Sequence, residues 1–232
     1  MTGAKVAFLG AILICPGAWC QDGGPTAVEI ADEPHHTLIL KNQAVRVFRL
    51  SLQPKEVTLP HRHDAFYAFV SLRPVTISNE VRGRQPVRTE LKAGELHTSK
   101  GGFTIAERNV SSEAAQVLVI ESLKRDDGKS FSTPMGGFRL HDAAVGGLFE
   151  SSVLRAYIMT IAVGGRVEKH REDYGRLLIA LSDLTLREEG DGQPVSEMEI
   201  RSGEVRWVEP GAPHSTTNVG TSPADFLTLE FR

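Results

Sequence analysis

Two histidines one residue apart are the first feature of this sequence that could do chemistry. His61 and His63 flank a single arginine, and residues i and i+2 of a β-strand point to the same face. Two imidazoles on one face can fill neighbouring positions around a transition metal. Because a surface His-x-His is common, the pair predicts a metal site only where further donors converge on it.

The elements that must position such a pair are β-strands. Several segments are rich in apolar and β-branched residues or alternate in polarity, and clusters of Gly, Pro and Asp separate them. They are 46–52, 69–77 and 117–120, and further along 156–163, 177–186 and 226–231. This pattern predicts an antiparallel sandwich or barrel, and helical periodicity is weak.

The sequence also repeats itself with an offset of 109 residues, as duplicated domains do. Residues that match in this register include histidines, glycines and asparagines as well as apolar residues. The pairs include His61 with His170, Asp64 with Asp173, Gly94 with Gly203, Gly102 with Gly211 and Asn109 with Asn218. We therefore expect a first domain at 21–122 with an N-terminal lead-in, a linker at 123–147 and a second domain at 148–232.

Composition limits the class of function. The chain has 232 residues, 41% of them apolar, and 26 basic against 29 acidic residues. This leaves no basic surplus for a phosphate backbone, so we expect no nucleic-acid partner. Neither a Gly-x-Ser-x-Gly nor a His-Glu-x-x-His motif occurs, which argues against hydrolysis at sites of these kinds.

The first twenty residues have the pattern of a secretory signal peptide. Lys5 precedes an apolar run at 6–15, and residues 18–20 offer Ala and Cys at positions −3 and −1 of a cleavage site. The run is too short to span a bilayer and suits a signal peptide, although a retained anchor is the alternative. We therefore expect a secreted or periplasmic protein with no stable membrane anchor, whose mature chain has no cysteine.

A longer motif in the second repeat narrows the fold. Residues 203–218 read Gly-x5-Glu-x-Gly-x2-His-x3-Asn. This stretch resembles the second motif of the cupin superfamily, Gly-x5-Pro-x-Gly-x2-His-x3-Asn, with Glu209 in place of the proline. The resemblance covers roughly 45–122 and 154–232, so it implies an all-β bicupin with two tandem jelly-roll-like barrels.

In cupins a His-x-His pair, a glutamate and a later histidine converge inside the barrel to hold Fe, Mn, Zn, Ni or Cu, with open positions for a substrate. In the first repeat His61 and His63 match. Tyr67 occupies the glutamate position, and Ile105 replaces the later histidine. The resemblance thus implies a weaker metal site here, with an apolar wall, and makes Tyr67 a candidate for substrate contact.

The second repeat keeps more of the donors. His170 and His214 match the motifs, Glu172 replaces the second histidine, and Arg176 stands at the glutamate position. The resemblance implies that His170, Glu172 and His214 hold a divalent transition metal, since two imidazoles and a carboxylate form a known ligand set. Arg176 could instead pair with Glu172 and remove the need for a metal, or hold an anionic substrate such as a carboxylate. A metal-free polar pocket and a purely structural cluster are the alternatives.

The remaining histidines give weaker signals. His35, His36 and His141 fall in expected loops, where a solvated side chain is the default interpretation. Nothing in the spacing places His97 inside a barrel.

The function expected from these features is a secreted bicupin that binds a small molecule in a barrel pocket, with a metal in the C-terminal copy. If it is an enzyme, the resemblance implies dioxygenase or isomerase chemistry, in which a metal orients the substrate and stabilises developing negative charge. The alternative is a non-catalytic ligand-binding or structural bicupin that has lost its metal sites. An exposed barrel edge could also support a homo-oligomer.

Overall fold

The computed structural model describes residues 26–81, 83–124, 128–131 and 138–232. The chain divides into two compact units, Met1–Leu123 and Lys124–Arg232. The expected signal peptide, with both cysteines, lies outside the described residues. Within the described ranges, no helix is long and apolar enough to cross a membrane.

The first unit consists of two five-stranded sheets. Its strands are β1 (Val28–Glu29), β2 (His36–Lys41), β3 (Val45–Leu52), β4 (His61–His63), β5 (Tyr67–Ser71), β6 (Val75–Glu80), β7 (Val87–Leu91), β8 (Leu96–Ser99), β9 (Phe103–Asn109) and β10 (Ala115–Ser122). One sheet has the order β1-β4-β9-β6-β7, and the other has the order β2-β3-β10-β5-β8. A 3-10 turn at Ile30–Asp32 lies between β1 and β2.

The second unit repeats this arrangement around one long strand. Its strands are β11 (Leu140–Glu150), β12 (Leu154–His170), β13 (Gly175–Ala180), β14 (Leu184–Gly190), β15 (Ser196–Ile200), β16 (Val205–Val208), β17 (His214–Asn218) and β18 (Ala224–Phe231). The sheet order is β15-β14-β17-β12-β18-β13-β16, with β11 paired to β12. β12 pairs with β18 along its first half and with β17 near its end. In the first unit two strands make the corresponding pairs, β3 with β10 and β4 with β9.

The apolar core of each unit lies between its strands, as the sequence pattern indicates. In β10, which lies between β3 and β5 in its sheet, the continuous apolar run Val117–Ile120 is buried at every residue and therefore on both faces. The matching run in β18, between β12 and β13, is buried in the same way. Continuous rather than alternating apolar residues are what a strand covered on both faces requires.

The all-β fold of two tandem jelly-roll-like barrels is therefore confirmed. From β2 onward, the strands of the first unit recur 109 residues later in the second, and β2 pairs with β3 in the same register in which 145–150 of β11 pair with β12. Two of the expected segments, 69–77 and 177–186, are each two strands joined by a turn. In the first of these, Pro74 lacks the N–H that a continuing strand would use.

Two buried asparagines show how closely the copies correspond. The Nδ2 group of Asn109 donates to the carbonyl oxygens of Leu52 and Glu113, at 3.1 and 2.8 Å. Asn218 makes the same two bonds, to residues at the same offset, at 2.9 and 2.8 Å. In the first unit this side chain links the end of β3 to the turn before β10. In the second unit it links β12 to the turn before β18.

One backbone position shows how the copies have diverged. Gly164, six residues before His170, has a φ of +74°. Its counterpart in the first unit is Lys55, which has a φ of +72°. An L-residue in this left-handed region costs about 1 to 2 kcal/mol, so the first unit tolerates strain that the second avoids.

The segment expected to be a linker, 123–147, contains the first part of β11. This strand pairs with β12 from Leu140 onward, so the linker interpretation is wrong for 140–147. Two glycines, Gly146 and Gly147, interrupt the apolar residues of β11, and half-buried residues alternate with exposed ones along most of the strand. Residues 125–127 and 132–137 of that segment lie outside the described ranges.

Candidate functional site

In the first unit, three strands bring potential metal ligands to one buried place. β4 turns His61 and His63 inward, where each is at most 1% exposed, and turns the arginine between them outward. β9 pairs with β4 so that Ile105 lies opposite His61, and Glu107 follows two residues later in β9. The third strand, β2, contributes His36.

The ligand atoms of His36, His61 and Glu107 all lie within 4.8 Å of one another. Oε2 of Glu107 is 3.6 Å from Nε2 of His61 and 3.8 Å from Nε2 of His36. Donor atoms that are each about 2.1 Å from one ion lie about 3 to 3.5 Å apart, so a small contraction would let all three share an ion. Nε2 of His36 and Oε2 of Glu107 are buried without a hydrogen-bond partner among the described residues.

Both imidazoles of this set present an Nε2 lone pair. Nδ1 of His61 lies 3.0 Å from the carbonyl oxygen of Leu59, and Nδ1 of His36 lies 2.7 Å from Oε2 of Glu33. A carbonyl and a carboxylate can only accept, so each ring donates its proton from Nδ1. Nε2 of the neutral ring is then free to bind a metal. Burial lowers the pKa of His61, which favours this neutral form.

His63 stands beside these three donors. Its Nδ1 lies 3.3 Å from Oε1 of Glu121, whose other oxygen accepts a hydrogen bond from Arg46 at 2.6 Å. Its Nε2 lies 3.2 Å from Nε2 of His61. Because Nδ1 of His61 and Nδ1 of His63 donate their protons to these partners, the Nε2 lone pairs of the two rings face each other. A proton or a cation between the two Nε2 atoms removes the repulsion between the lone pairs. Tyr67 stacks on the His63 ring, with the ring centroids 4.1 Å apart.

Sequence reasoning missed two of these residues. The interpretation of His36 as a solvated loop residue is wrong, because it lies in β2 with a fully buried side chain against the carboxylate of Glu33. Glu107 was overlooked because the motif places a donor at Ile105 instead. The available signal was the same-face spacing of Ile105 and Glu107 on a strand that pairs with the His-x-His strand.

The second unit brings together the three residues that the resemblance implied. The ligand atoms of His170, Glu172 and His214 lie within 4.8 Å of one another. The two oxygens of Glu172 lie 3.3 Å from Nε2 of His170 and 3.4 Å from Nε2 of His214. The two histidines are register partners, because β12 ends and β17 begins at them. Nδ1 of each ring faces the backbone carbonyl two residues earlier, as in His61.

Arg176 lies inside this cluster. Its Nη1 is 2.7 Å from Oε2 of Glu172, and its Nη2 donates to Nε2 of His214 at 3.5 Å. Burial by itself would raise the pKa of Glu172, but the hydrogen bond from His170 and the charge on Arg176 lower it. Burial disfavours the charged form of His170, yet its contacts with Glu172 outweigh this and raise its pKa. The cluster is therefore an internal ion network.

The groups behind the two clusters differ as well. Glu121, which faces His63, has the counterpart Glu230 at offset 109. Glu230 accepts a hydrogen bond from the Tyr157 hydroxyl at 3.2 Å. Burial and the charge of Glu172 raise the pKa of Glu230. Glu230 keeps the arginine partner, because Arg155 donates to it at 3.3 Å as Arg46 donates to Glu121. The Tyr157 hydroxyl is the partner in which the second copy differs.

A cavity of about 30 Å³ adjoins the C-terminal cluster. This volume holds about two water molecules or an anion of a few atoms. Its walls contain both polar and apolar side chains. The polar lining includes His170, Glu172, Arg176, Glu188, Thr216 and Thr228, and the apolar lining includes Phe138, Met159, Leu178 and Phe226.

The two clusters fit a metal ion to different degrees. A divalent ion about 4 Å from the Arg176 guanidinium would be repelled by about 8 kcal/mol at an effective dielectric constant of about 20. Glu172, the carboxylate that would offset this, is already paired with that guanidinium. The N-terminal cluster has two carboxylates, Glu33 and Glu107, against its histidines. The donors of the first unit therefore suit a dication better than those of the second.

Comparison with solved structures gives the fold family. A cupin 2 conserved barrel domain protein from Leptotrichia buccalis superposes with a TM-score of 0.55 at 14% identity, over 90% of this chain and 92% of that chain. Oxalate decarboxylase of Bacillus subtilis, from work on its Mn(II) centres, gives 0.57 at 11% identity, over 90% and 78%. Vicilin from Solanum melongena gives 0.56 at 15% identity, over 81% and 74%. The chain therefore has the bicupin fold.

The bicupin fold is shared by an enzyme and a vicilin, so it does not decide between catalysis and binding. No protein-family model matches the sequence, and the curated proteins searched contain no match. The function of this bicupin must therefore be argued from its own side chains.

Proposed function

We propose that this bicupin binds a divalent transition metal in its N-terminal barrel, through His36, His61 and Glu107, and takes a small molecule beside it. The observation that carries the proposal is the convergence of two Nε2 lone pairs and a carboxylate oxygen in a buried place. The protons on Nδ1 are already engaged by Leu59 and Glu33. Such outer partners fix the orientation of metal-binding histidines.

The donor chemistry supports the range of metals that the sequence predicts. Two imidazoles and a carboxylate can bind Fe, Mn, Zn, Ni or Cu. The Mn(II) centres of Bacillus subtilis oxalate decarboxylase make Mn(II) a suitable first probe. Bound here, a divalent ion would act as a Lewis acid toward a coordinated oxygen.

The neighbouring side chains support contact with a small anionic or polar molecule. Tyr67 stacks on His63 next to the proposed metal position. Burial raises the pKa of Tyr67 well above its usual range, so the hydroxyl keeps its proton and can donate a hydrogen bond. Three protein donors leave further positions of an octahedral ion for substrate, which is what dioxygenase or isomerase chemistry would need.

The C-terminal barrel supports a second candidate role, as a metal-free polar pocket. The ion pair between Arg176 and Glu172, at 2.7 Å, fills the place in which the sequence predicts a metal. The adjoining cavity suits a small anion that competes with Glu172 for the guanidinium. The protein would then pair one metal-binding barrel with one metal-free barrel.

Elemental analysis of the protein, prepared without a polyhistidine tag, tests this division. After dialysis against Mn(II) and removal of free ion, the parent is expected to keep one metal per chain. His61→Ala is expected to lose it, and the matched variant His170→Ala, from the same motif position of the other copy, is expected to keep it. Loss of the metal in His170→Ala alone would instead support the site at His170, Glu172 and His214.

We also propose that the protein acts outside the cytoplasm, as residues 1–20 predict. Expression of the full sequence in a bacterium with a periplasm, followed by N-terminal sequencing, tests this. A mature chain that starts at Gln21 is the expected result, and an uncleaved cytoplasmic chain would contradict it.

A further inference from the structure

The N-terminal metal cluster depends on the segment that opens the first unit. This lead-in segment, residues 26–41, contains β1 and β2 and precedes β3. Its strand β2 has a counterpart in the later part of β11, where Val145 stands at the position of His36. In the sequence motifs, all ligands of the first copy would come from later residues. Yet His36, on β2, supplies one of the three converging donor atoms.

Backbone contacts dock the lead-in segment beside the His-x-His strand. Val28 pairs with His61 in a parallel bridge, and its N–H donates to the carbonyl oxygen of Pro60 at 2.9 Å. β2 then pairs with β3 along the opposite sheet. The segment thus adds β1 as an edge strand to one sheet and β2 as an edge strand to the other. The cluster joins His36 on β2 with His61 and Glu107 of the sheet that contains β1.

Glu33 fixes the position of His36 within the segment. The carboxylate accepts from Nδ1 of His36 at 2.7 Å, and from the N–H and Nδ1 of His35 at 2.9 and 3.0 Å. The same carboxylate accepts from the N–H of Leu59 at 3.0 Å. Leu59 in turn offers its carbonyl oxygen to His61. Both proposed imidazole ligands are therefore held by one buried set of hydrogen bonds.

We propose that metal binding in the N-terminal barrel and docking of the lead-in segment are coupled, with His36 as the ligand that joins them and Glu33 as its positioning residue. This inference rests on the proposed metal site. An ion bound between β2 and the strands β4 and β9 stabilises the docked segment. By linkage, a segment that is well docked strengthens metal binding by the same factor.

The unpaired atoms support this direction of coupling. Without an ion, Nε2 of His36 and Oε2 of Glu107 are buried with no hydrogen-bond partner among the described residues. An unpaired buried polar group is destabilising, because it has lost its hydrogen bonds to water and gained none in the protein. Undocking of the segment relieves that cost by exposing both groups to water, and a bound ion relieves it without undocking.

Hydrogen exchange measured by mass spectrometry, with and without Mn(II), tests the coupling on the full mature chain. Peptides that cover 26–41 are expected to exchange at least about tenfold more slowly with Mn(II), while peptides of the second unit stay unchanged. Isothermal titration with Mn(II) gives the reciprocal effect. Glu33→Gln is expected to weaken affinity about ten- to a hundredfold, as lost outer partners do.

Two further variants complete the design. His36→Ala is expected to weaken Mn(II) binding by more than about a hundredfold and to abolish the metal-dependent protection of the segment. Glu29→Gln, at an exposed position of the same segment, serves as the matched control and should keep the parental affinity within about twofold. The exchange data on the parent need no variant, so misfolding of His36→Ala would not prevent the test.

The outcomes separate this inference from the proposed function. If the parent binds Mn(II) and His61→Ala abolishes binding, the metal site is supported. If Glu33→Gln and His36→Ala then keep parental affinity, and the segment exchanges equally with and without metal, the coupling is wrong and the metal site survives. A parent that binds no metal, or loses it only in His170→Ala, would overturn both.

Discussion

Replacement of Glu33 by glutamine should destabilise the first unit strongly at neutral pH. The carboxylate is 1% exposed and accepts four hydrogen bonds, from His35, His36 and Leu59. Burial by itself would raise its pKa, but the hydrogen bonds from His36, His35 and Leu59 outweigh burial and lower the pKa from 4.5 to about 2. Glutamine offers a single acceptor oxygen, so two donors or more lose their partner.

The size of the effect follows from the shift in pKa. A carboxyl whose pKa falls from 4.5 to about 2 on folding contributes about 3 kcal/mol at pH 7, at about 1.4 kcal/mol for each unit. Because the folded pKa of Glu33 is lowered, this stability is present above about pH 4.5. It is lost as the pH falls toward about 2.

Urea unfolding of metal-free protein, followed by circular dichroism, measures the effect. We expect Glu33→Gln to lose about 3 kcal/mol relative to the parent at pH 7, and about 1 kcal/mol at pH 3. Glu29→Gln, at an exposed position of the same segment, should differ from the parent by less than about 0.5 kcal/mol. A loss in Glu33→Gln that is equal at pH 7 and pH 3, or no larger than in Glu29→Gln, would refute the reasoning.

Three other predictions follow from the paired architecture. Asn109→Ala and Asn218→Ala should each cost about 2 to 4 kcal/mol in urea unfolding, because each leaves two backbone carbonyls without a donor; losses below about 0.5 kcal/mol would contradict this. Arg176→Met should let the C-terminal cluster bind a second Mn(II) per chain by elemental analysis, because Glu172 loses its cationic partner; an unchanged ratio would show that the guanidinium does not exclude the ion. Lys55→Gly should raise stability by about 1 kcal/mol, because glycine adopts the observed φ of +72° without strain; a destabilised variant would contradict the strain.

The fold could be predicted from the sequence because its signals are repeated. The matches at offset 109, from His61 with His170 to Asn109 with Asn218, correspond to strands and bonds that recur in both units. β11 escaped prediction for a physical reason. Half-buried and exposed residues alternate along most of β11, and two glycines interrupt its apolar residues. Its composition therefore resembles that of a loop.

The candidate sites were predictable in part. His170, Glu172 and His214 do lie together, since the motif spacing places them on neighbouring strands. His36 and Glu107 could not be found from the motifs, because they supply donors from positions where the motif has none. The buried contact of His36 with Glu33 depends on the path of the lead-in segment, which composition and periodicity do not determine.

The sequence allows two arrangements of Arg176, and the structure shows its pairing with Glu172. The guanidinium pairs with Glu172 and also reaches His214, so it neutralises the only carboxylate of the predicted ligand set. A substrate anion would have to compete with that pair. This is the physical basis for assigning the metal to the other barrel.

The central claim is that a metal binds between β2, β4 and β9 of the N-terminal barrel. An anomalous difference map from crystals grown with Mn(II), recorded near the manganese absorption edge, locates the ion directly. The account predicts one strong peak about 2.0 to 2.3 Å from Nε2 of His36, Nε2 of His61 and a carboxylate oxygen of Glu107. A peak between His170 and His214, with none in the N-terminal barrel, would contradict it.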